Sequence, residues 1–375
     1  MINVSDKSLC CGCGACADIC PAGAISMKAD ELGFLYPQVN PDACTGCGEC
    51  ERACSFAGKL PAVDPQAFKA RNKDAAELAA SISGGIFPAL SDAVLSCGGA
   101  VYGAGWKDHF TVVHKRAITK EERDEFRRSK YVQSYAGDCF PQIREDLREG
   151  RKVLFSGTPC QVTAVKTLTG NPDNLLLVEI VCHAVPAPGI WKAYLELLER
   201  KAGSKAVKVE FRDKARFGWR VHKGSVEFEN GKVITGRSFA DLFYKHLSIR
   251  PSCEKCPFAC TERGADVSLA DFWGYKGDDL GLSMVLVSTE KGRNALQTVS
   301  GSLDLEEVEL KDHLQRPLRE PAEANPARGE FTEYFLSEGM EKTLRKYGDW
   351  NIKSQIHYLY RHIRKKARKI LLNRV

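Results

Sequence analysis

Two stretches of this chain carry cysteines at one shared spacing, Cys10-x2-Cys13-x2-Cys16-x3-Cys20 and Cys44-x2-Cys47-x2-Cys50-x3-Cys54. Two intervening residues let successive thiolates face one cavity, and Gly12, Gly14, Gly46 and Gly48 permit tight turns whose amides point at sulfur. The chain has 16 cysteines in 375 residues, and no basic segment followed by an apolar one lies between Met1 and Cys10. Metal ligation is therefore a better account of these cysteines than disulfide pairing. Structural zinc sites use the same ligand type, yet they rarely take two matched runs of four. Cys11 falls out of register with both runs and reads as a free thiol beside them.

The first 54 residues resemble a bacterial ferredoxin holding two [4Fe-4S] clusters. In that arrangement the fourth cysteine of each run serves the other cluster. Cys10, Cys13, Cys16 and Cys54 are then expected around one, and Cys44, Cys47, Cys50 and Cys20 around the second. Pro21 follows the first run as in such ferredoxins, whereas Ser55 stands where proline would follow the second.

With 43% hydrophobic and 27% charged residues the composition is that of a soluble multidomain protein, and no run of about 18 apolar residues could span a bilayer. A cytoplasmic location is expected. The net charge of +6 is spread along the chain and suits acidic partners, and no nucleic-acid motif accompanies it. We read a ferredoxin domain at 1–58 and a linker at 59–80, of which 66–80 look helical from their Ala, Lys and Glu content. A mixed-sheet domain follows at 81–325, in an N-terminal part, 81–150, and a C-terminal part, 151–325. A C-terminal helical extension occupies 326–375. The expected class is α/β for the large domain and α+β overall.

Residues 152–156 read as a buried strand that breaks at Gly157-Thr158-Pro159-Cys160-Gln161 and continues as a helix through Lys166. Such a loop lies at the carboxyl end of its strand, where α/β sheets bind cofactors and helix N-termini favour anions. The shape recurs: 175–181 is an apolar strand, Cys182-His183 sits at its end, and Pro188 opens a helix running to about Lys201. A hairpin follows at 224–236 around Asn230-Gly231, then a helix near 239–249. Cys253 and Cys256 form a third pair at two-residue spacing, too few for a cluster without remote help. Cys160 and Cys182 are available, so a third [4Fe-4S] cluster on Cys160, Cys182, Cys253 and Cys256 is expected, with Cys260 as the alternative ligand. The plainer readings are a zinc site on Cys253, Cys256 and Cys260, or buried unligated thiols.

Ser83-Gly84-Gly85, Ser129-Lys130-Tyr131-Val132-Gln133-Ser134, Gly157-Thr158-Pro159-Cys160-Gln161, Cys182-His183, Ser252-Cys253-x2-Cys256-Pro257-Phe258 and Asp271-Phe272-Trp273-Gly274 occur in this order. Over residues 80–320 they resemble the family of coenzyme F420 hydrogenase/dehydrogenase beta subunits, many of which carry a ferredoxin domain in front. The resemblance implies a flavin-binding domain in which FAD sits near an iron-sulfur cluster and exchanges electrons with a deazaflavin, a tetrapyrrole or another substrate. It implies a flavin pocket drawing on Ser83, Gly84, Gly85, Ser129, Lys130, Tyr131, Gln133, Ser134, Gly157, Thr158 and Gln161. Ala270 departs from the family's glycine before Asp271 and would tighten a close backbone approach.

Clusters pass one electron at a time while a flavin stores two and hands them on as a hydride, so the two domains imply a wire. An acidic ferredoxin or other redox protein is the expected partner at one end and a small organic molecule at the other. Lys130 is the first catalytic candidate, a cation beside an anionic reduced ring, set against a solvated charge on a turn. His183 is the second, a proton donor with an ordinary pKa of about 6.5, set against a satisfied structural histidine. Residues 349–375 read as one helix with Ile352, Ile356, Leu359, Ile363 and Ile370 on one face and basic residues elsewhere. That charge offers contact with an anionic membrane surface or an acidic partner, while a packed helix with a solvated face is the simpler reading. The function expected is an iron-sulfur flavoprotein oxidoreductase moving electrons between ferredoxin, clusters, FAD and an organic substrate. The resemblance adds a sugar-linked substrate in surface-polysaccharide metabolism to the candidates. The alternatives are coenzyme F420 as the substrate, or an electron-transfer subunit with no substrate of its own.

Overall fold

A computed structural model describes residues 2–56 and 63–350. In the N-terminal domain each cysteine run turns through a left-handed glycine into a single helical turn, Ala15–Asp18 behind Gly14 (φ 87°) and Glu49–Arg52 behind Gly48 (φ 76°). Between the runs, β1 (Ile25–Ala29) and β2 (Leu35–Val39) form an antiparallel hairpin with Ile25 opposite Val39 and Ala29 opposite Leu35. Its inner side is closed by Cys16, Ile25 and Cys50, with Met27 and Val39 packed against them. So small an apolar centre leaves much of the domain's stability to what its cysteines ligate.

The later strands are β3 (Gln66–Asn72), β4 (Ala100–Lys107), β5 (Thr111–Ala117), β6 (Val153–Gly157), β7 (Leu175–Ile180), β8 (Ala206–Glu210), β9 (Gly224–Phe228), β10 (Val233–Gly236), β11 (Val267–Asp271), β12 (Ser283–Val287) and β13 (Leu303–Val308). Eight of them make one mixed sheet in the order β13-β3-β12-β11-β7-β6-β4-β5. Strands β11, β7, β6 and β4 run parallel, and those outside them pair antiparallel. Both faces are apolar because neighbouring residues of the parallel strands point opposite ways. Val101, Leu154 and Val178 pack with the helices Ile86–Leu95 and Glu290–Val299. Tyr102, Phe155 and Leu177 pack with Phe140–Arg148 and Pro159–Thr169. The α/β class for the large domain, and α+β for the whole, holds.

A second sheet, β10-β9-β8, closes on the helices Pro188–Ala202 and Ser238–Tyr244 through Leu195, Leu198, Val226, Phe228 and Phe239. The helix Arg328–Lys346, broken at Gly339 (φ 75°), adds Phe331 and Leu344 to the same core.

The linker expectation fails in its second half. Gln66–Asn72 is a strand between β13 and β12, and only Ala75–Ala80 is helical. Ladder hydrogen bonds on both sides, with Ala70 opposite Ser283 and Leu305, override the helical preference of its Ala, Lys and Arg residues. The large domain thus takes in residues 66–80, ahead of the expected boundary at 81. The helix expected at 239–249 stops at Tyr244, because the backbone turns left-handed at His246 (φ 57°). The basic helix expected at 349–375 falls, from residue 351 on, outside the described residues. Among the described residues no helix is long and apolar enough to cross a membrane.

Candidate iron-sulfur and ligand-binding site

Among the described residues no three side chains stand as a closed metal site, but the cysteines of the two runs neighbour one another across the runs, in two quartets. Burial, and after it the neighbouring thiols of Cys13, Cys10 and Cys54, push the Cys16 thiol up to about 12, which places these four side chains together. Cys20, Cys44, Cys47 and Cys50 line a single pocket of about 340 Å³. Backbone amides point at the sulfurs: Ile2 N donates to Cys50 Sγ at 3.4 Å and Ala24 N to Cys20 Sγ at 3.3 Å. The amides of Gly12, Ala15 and Ala17 do the same for Cys10, Cys13 and Cys16. Sulfurs set side by side among N–H donors favour the thiolate state only once a cationic core sits between them, and that is what a [4Fe-4S] group brings. Cys47 lies at the surface, whereas Cys16 and Cys50 are buried.

The third group forms in part. Burial, followed by the thiols of Cys253 and Cys256, raises the Cys182 thiol well above its usual range, and burial raises Cys256 to about 11. Cys160 points elsewhere: its sulfur meets Cys11, which also meets Cys13, and lies 3.2 Å from Thr158 Oγ1. Cys182, Cys253 and Cys256 are therefore neighbours, without standing as a closed metal site, and Cys160 lies against the first quartet. Cys260 neighbours Cys256 while its thiol reaches the carbonyls of Pro257 and Glu262. The loop is pinned to β7 by Arg263, whose Nε donates to Glu179 Oε1 at 2.5 Å and whose Nη1 donates to the carbonyls of Phe258 and Cys260. Ser268 Oγ donates to the same carboxylate oxygen at 2.8 Å.

The residues expected at a flavin do not converge on one cavity. Gly84 sits where a Cβ would lie 2.3 Å from Ala70 O, its amide donates to Ser283 Oγ, and Ser83 Oγ donates to Leu282 O. With Gly85 capping the helix Ile86–Leu95 in the left-handed region (φ 74°), this trio serves the joint between β3, β12 and that helix. Gln161 accepts from Thr158 N and donates to Ser134 O and Oγ, which holds the turn after Gly157. Gln133 Nε2 donates to Cys11 O, toward the ferredoxin domain. Ser129 is exposed. The Lys130 ammonium donates to the carbonyls of Glu125, Arg127 and Arg128, and burial lowers it to about 8. It caps a turn in this structure. His183 Nε2 lies 2.7 Å from His246 Nε2, and His246 Nδ1 lies 2.7 Å from Glu323 O. A carbonyl can only accept, so His246 carries its proton on Nδ1 and accepts from His183 on Nε2. Burial holds His183 down to about 4, so it is neutral at pH 7.

Only Tyr131 of that set lines an open pocket between the helix Pro188–Ala202, the second sheet and the helix Ser238–Tyr244, with about 530 Å³ of empty space that includes open solvent. Its walls are aromatic: Tyr131, Trp191, Tyr194, Phe211, Phe239 and Tyr244. Two charged side chains line it: Arg212, fixed by Asp271 Oδ2 at 2.6 Å while Trp219 Nε1 donates to Asp271 Oδ1 at 2.7 Å, and Glu210, which pairs with Arg128. Asp271 ends β11, so Arg212 ties the pocket to the carboxyl edge of the parallel strands, the usual ligand position in such sheets. A polar chain runs along it, with His222 Nδ1 on the Tyr244 hydroxyl, Tyr244 on Tyr131, and Tyr131 on Arg212. Burial keeps His222 near 4 and neutral. Sequence reasoning missed these walls, although Trp191 and Tyr194, three apart on one helix, were an available signal.

Residues 150–313 match the family model for the C-terminal region of the coenzyme F420 hydrogenase/dehydrogenase beta subunit, and residues 9–57 match the 4Fe-4S dicluster domain. In the F(420)H(2) dehydrogenase of Methanosarcina mazei, the subunit named F is 22% identical over 327 residues, covering 81% of this chain and 86% of that protein. The ferredoxin-type protein NapF of Haemophilus influenzae is 50% identical over 42 residues, 11% of this chain and 24% of that protein. One chain of the F420-reducing [NiFe] hydrogenase complex from Methanosarcina barkeri aligns with a TM-score of 0.46 at 21% identity, over 77% of this chain and 91% of that one.

Proposed function

We propose that this chain, a member of the family of coenzyme F420 hydrogenase/dehydrogenase beta subunits with a 4Fe-4S dicluster domain in front, is an iron-sulfur oxidoreductase component that delivers electrons to a flavin in the aromatic pocket. The observation that carries the reading is a shared packing: Tyr131, on the pocket wall, and Cys253, of the third thiol group, pack against one small core of Phe243, Ile249 and Ala322. A [4Fe-4S] group supplies one-electron transfer, and a flavin turns that flow into two-electron chemistry on a substrate. Cys47, at the surface, gives a redox partner access to the outer quartet. Arg212, held by Asp271, presents a fixed cation to an anionic ring or tail. Neutral His222, through Tyr244 and Tyr131, can hold and move a proton along the pocket wall.

Coenzyme F420 as the substrate is the second reading, favoured by likeness along most of the length of the F(420)H(2) dehydrogenase relative. Iron, sulfide, zinc and flavin are to be counted in anaerobically purified protein, which is then reduced with dithionite and mixed with F420. About eight to twelve irons with flavin, lost in Phe211→Ala but not in an exposed-surface control, support the pocket assignment. Bleaching of F420 supports the second reading. Zinc without flavin overturns both.

A further inference from the structure

We infer that Arg250 is the positioning residue that locks the ferredoxin domain onto the large domain and raises the reduction potential of the cluster held by Cys10, Cys13, Cys16 and Cys54. The inference rests on the iron-sulfur reading of that quartet.

The guanidinium is fully buried, and its partners come from both domains. Nε donates to Cys10 O at 2.7 Å, Nη2 to Leu35 O at 2.8 Å, and Nη1 to Gln133 Oε1 at 2.9 Å. Nη2 also lies 3.8 Å from Cys10 Sγ. The rings of Tyr36 and Phe34 lie 4.2 Å and 5.3 Å from its charge centre. Gly12 makes room: a Cβ there would stand 2.6 Å from Nη1. Gln133, in turn, donates to Cys11 O, so the first cysteine loop is gripped from two side chains.

None of these acceptors is a carboxylate, and among the described residues Arg250 has no ion pair. A buried cation without a counter-charge is strongly disfavoured. A thiolate-ligated cluster is an anion in both of its working states, and it would supply the missing charge at Cys10. Reduction adds negative charge, so a fixed cation stabilises the reduced state more than the oxidised one and raises the potential. The backbone ties the same residue to the third thiol group: Cys253 N donates to Arg250 O at 3.0 Å and Arg250 N to Val185 O at 2.9 Å. The charge therefore stands at the junction of two thiol groups, while the Cys20, Cys44, Cys47 and Cys50 quartet has no contact with it among the described residues.

The test is an EPR-monitored redox titration of the anaerobic full chain, with the inner signal identified by its loss in Cys16→Ser and the outer by its loss in Cys50→Ser. Arg250→Gln is expected to lower the inner reduction constant about tenfold, about 59 mV for one electron, and to leave the outer one in place. Arg250→Lys, which keeps the charge but not the fork, should lose less than half of that. If Arg250→Gln does not fold, Gly12→Ala, which displaces the guanidinium, takes its place with the same expectation. Unmoved potentials, or equal shifts of both centres, overturn the inference. Wild-type protein that shows no iron-sulfur signal refutes the cluster reading beneath it.

Discussion

Glu179→Ala strips the carboxylate from a pair in which the Glu179 and Arg263 side chains are 0% and 1% exposed. Removing one partner of a buried pair leaves an uncompensated charge and costs about 3–5 kcal/mol. Here Arg263 also carries the carbonyls of Phe258 and Cys260, and Ser268 Oγ loses its acceptor, so the upper half of that range applies. At about 2–4 °C per kcal/mol for a domain of this size, the unfolding midpoint should fall by about 8–20 °C. Anaerobic thermal unfolding followed by circular dichroism measures it. The double variant Glu179→Leu with Arg263→Met removes both charges and should recover most of the loss. A single variant within about 1 kcal/mol of wild type, or a double variant no better than the single, would refute the reasoning, because either means that the pair is not desolvated as described.

The crossed quartets predict that Cys54→Ser disturbs the same EPR signal as Cys13→Ser, and Cys20→Ser the same signal as Cys44→Ser; pairing by run instead of across runs would contradict the fold. Burial holds His114, stacked on Phe155 and bonded to Ser156 O at 3.0 Å, at about 4 against an ordinary 6.5. Its folded pKa is depressed, so its neutral form costs nothing above pH 6.5, and stability is lost as pH falls from 6.5 to 4, by about 3 kcal/mol at 1.36 kcal/mol per unit. In denaturant titrations across that window, His114→Phe should show a flatter acid limb than wild type; parallel limbs would rule the histidine out.

What the sequence disclosed was local. Cys10 to Cys20 and Cys44 to Cys54 announce their chemistry because ligand spacing is a short-range constraint, and the turn at Gly157–Gln161 is legible because Pro159 and the Thr158–Gln161 capping box mark a helix start. The aromatic pocket was not, since Tyr131, Trp191, Phe211 and Tyr244 come from four separate segments and each alone reads as core. Lys130 and His183 were singled out by residue type, but the carbonyls around one and the second imidazole beside the other are tertiary facts. Gln66–Asn72 failed for a similar reason: both of its ladder partners, Ser283–Val287 and Leu303–Val308, lie far along the chain.

That placement governs the order of assembly during synthesis. The cysteine domain emerges from the ribosome ahead of the large domain and can close on its iron early, but β3 has no neighbour until β12 and β13, more than 200 residues later, have been made. Until then its backbone donors and acceptors are bare, an edge open to wrong partners. The segment 150–313 lacks β3, β4 and β5, so excising it would leave a gap between β12 and β13 and an uncovered side on β6. A fragment cut to that sequence boundary should aggregate, whereas one that begins before Gln66 keeps the sheet whole.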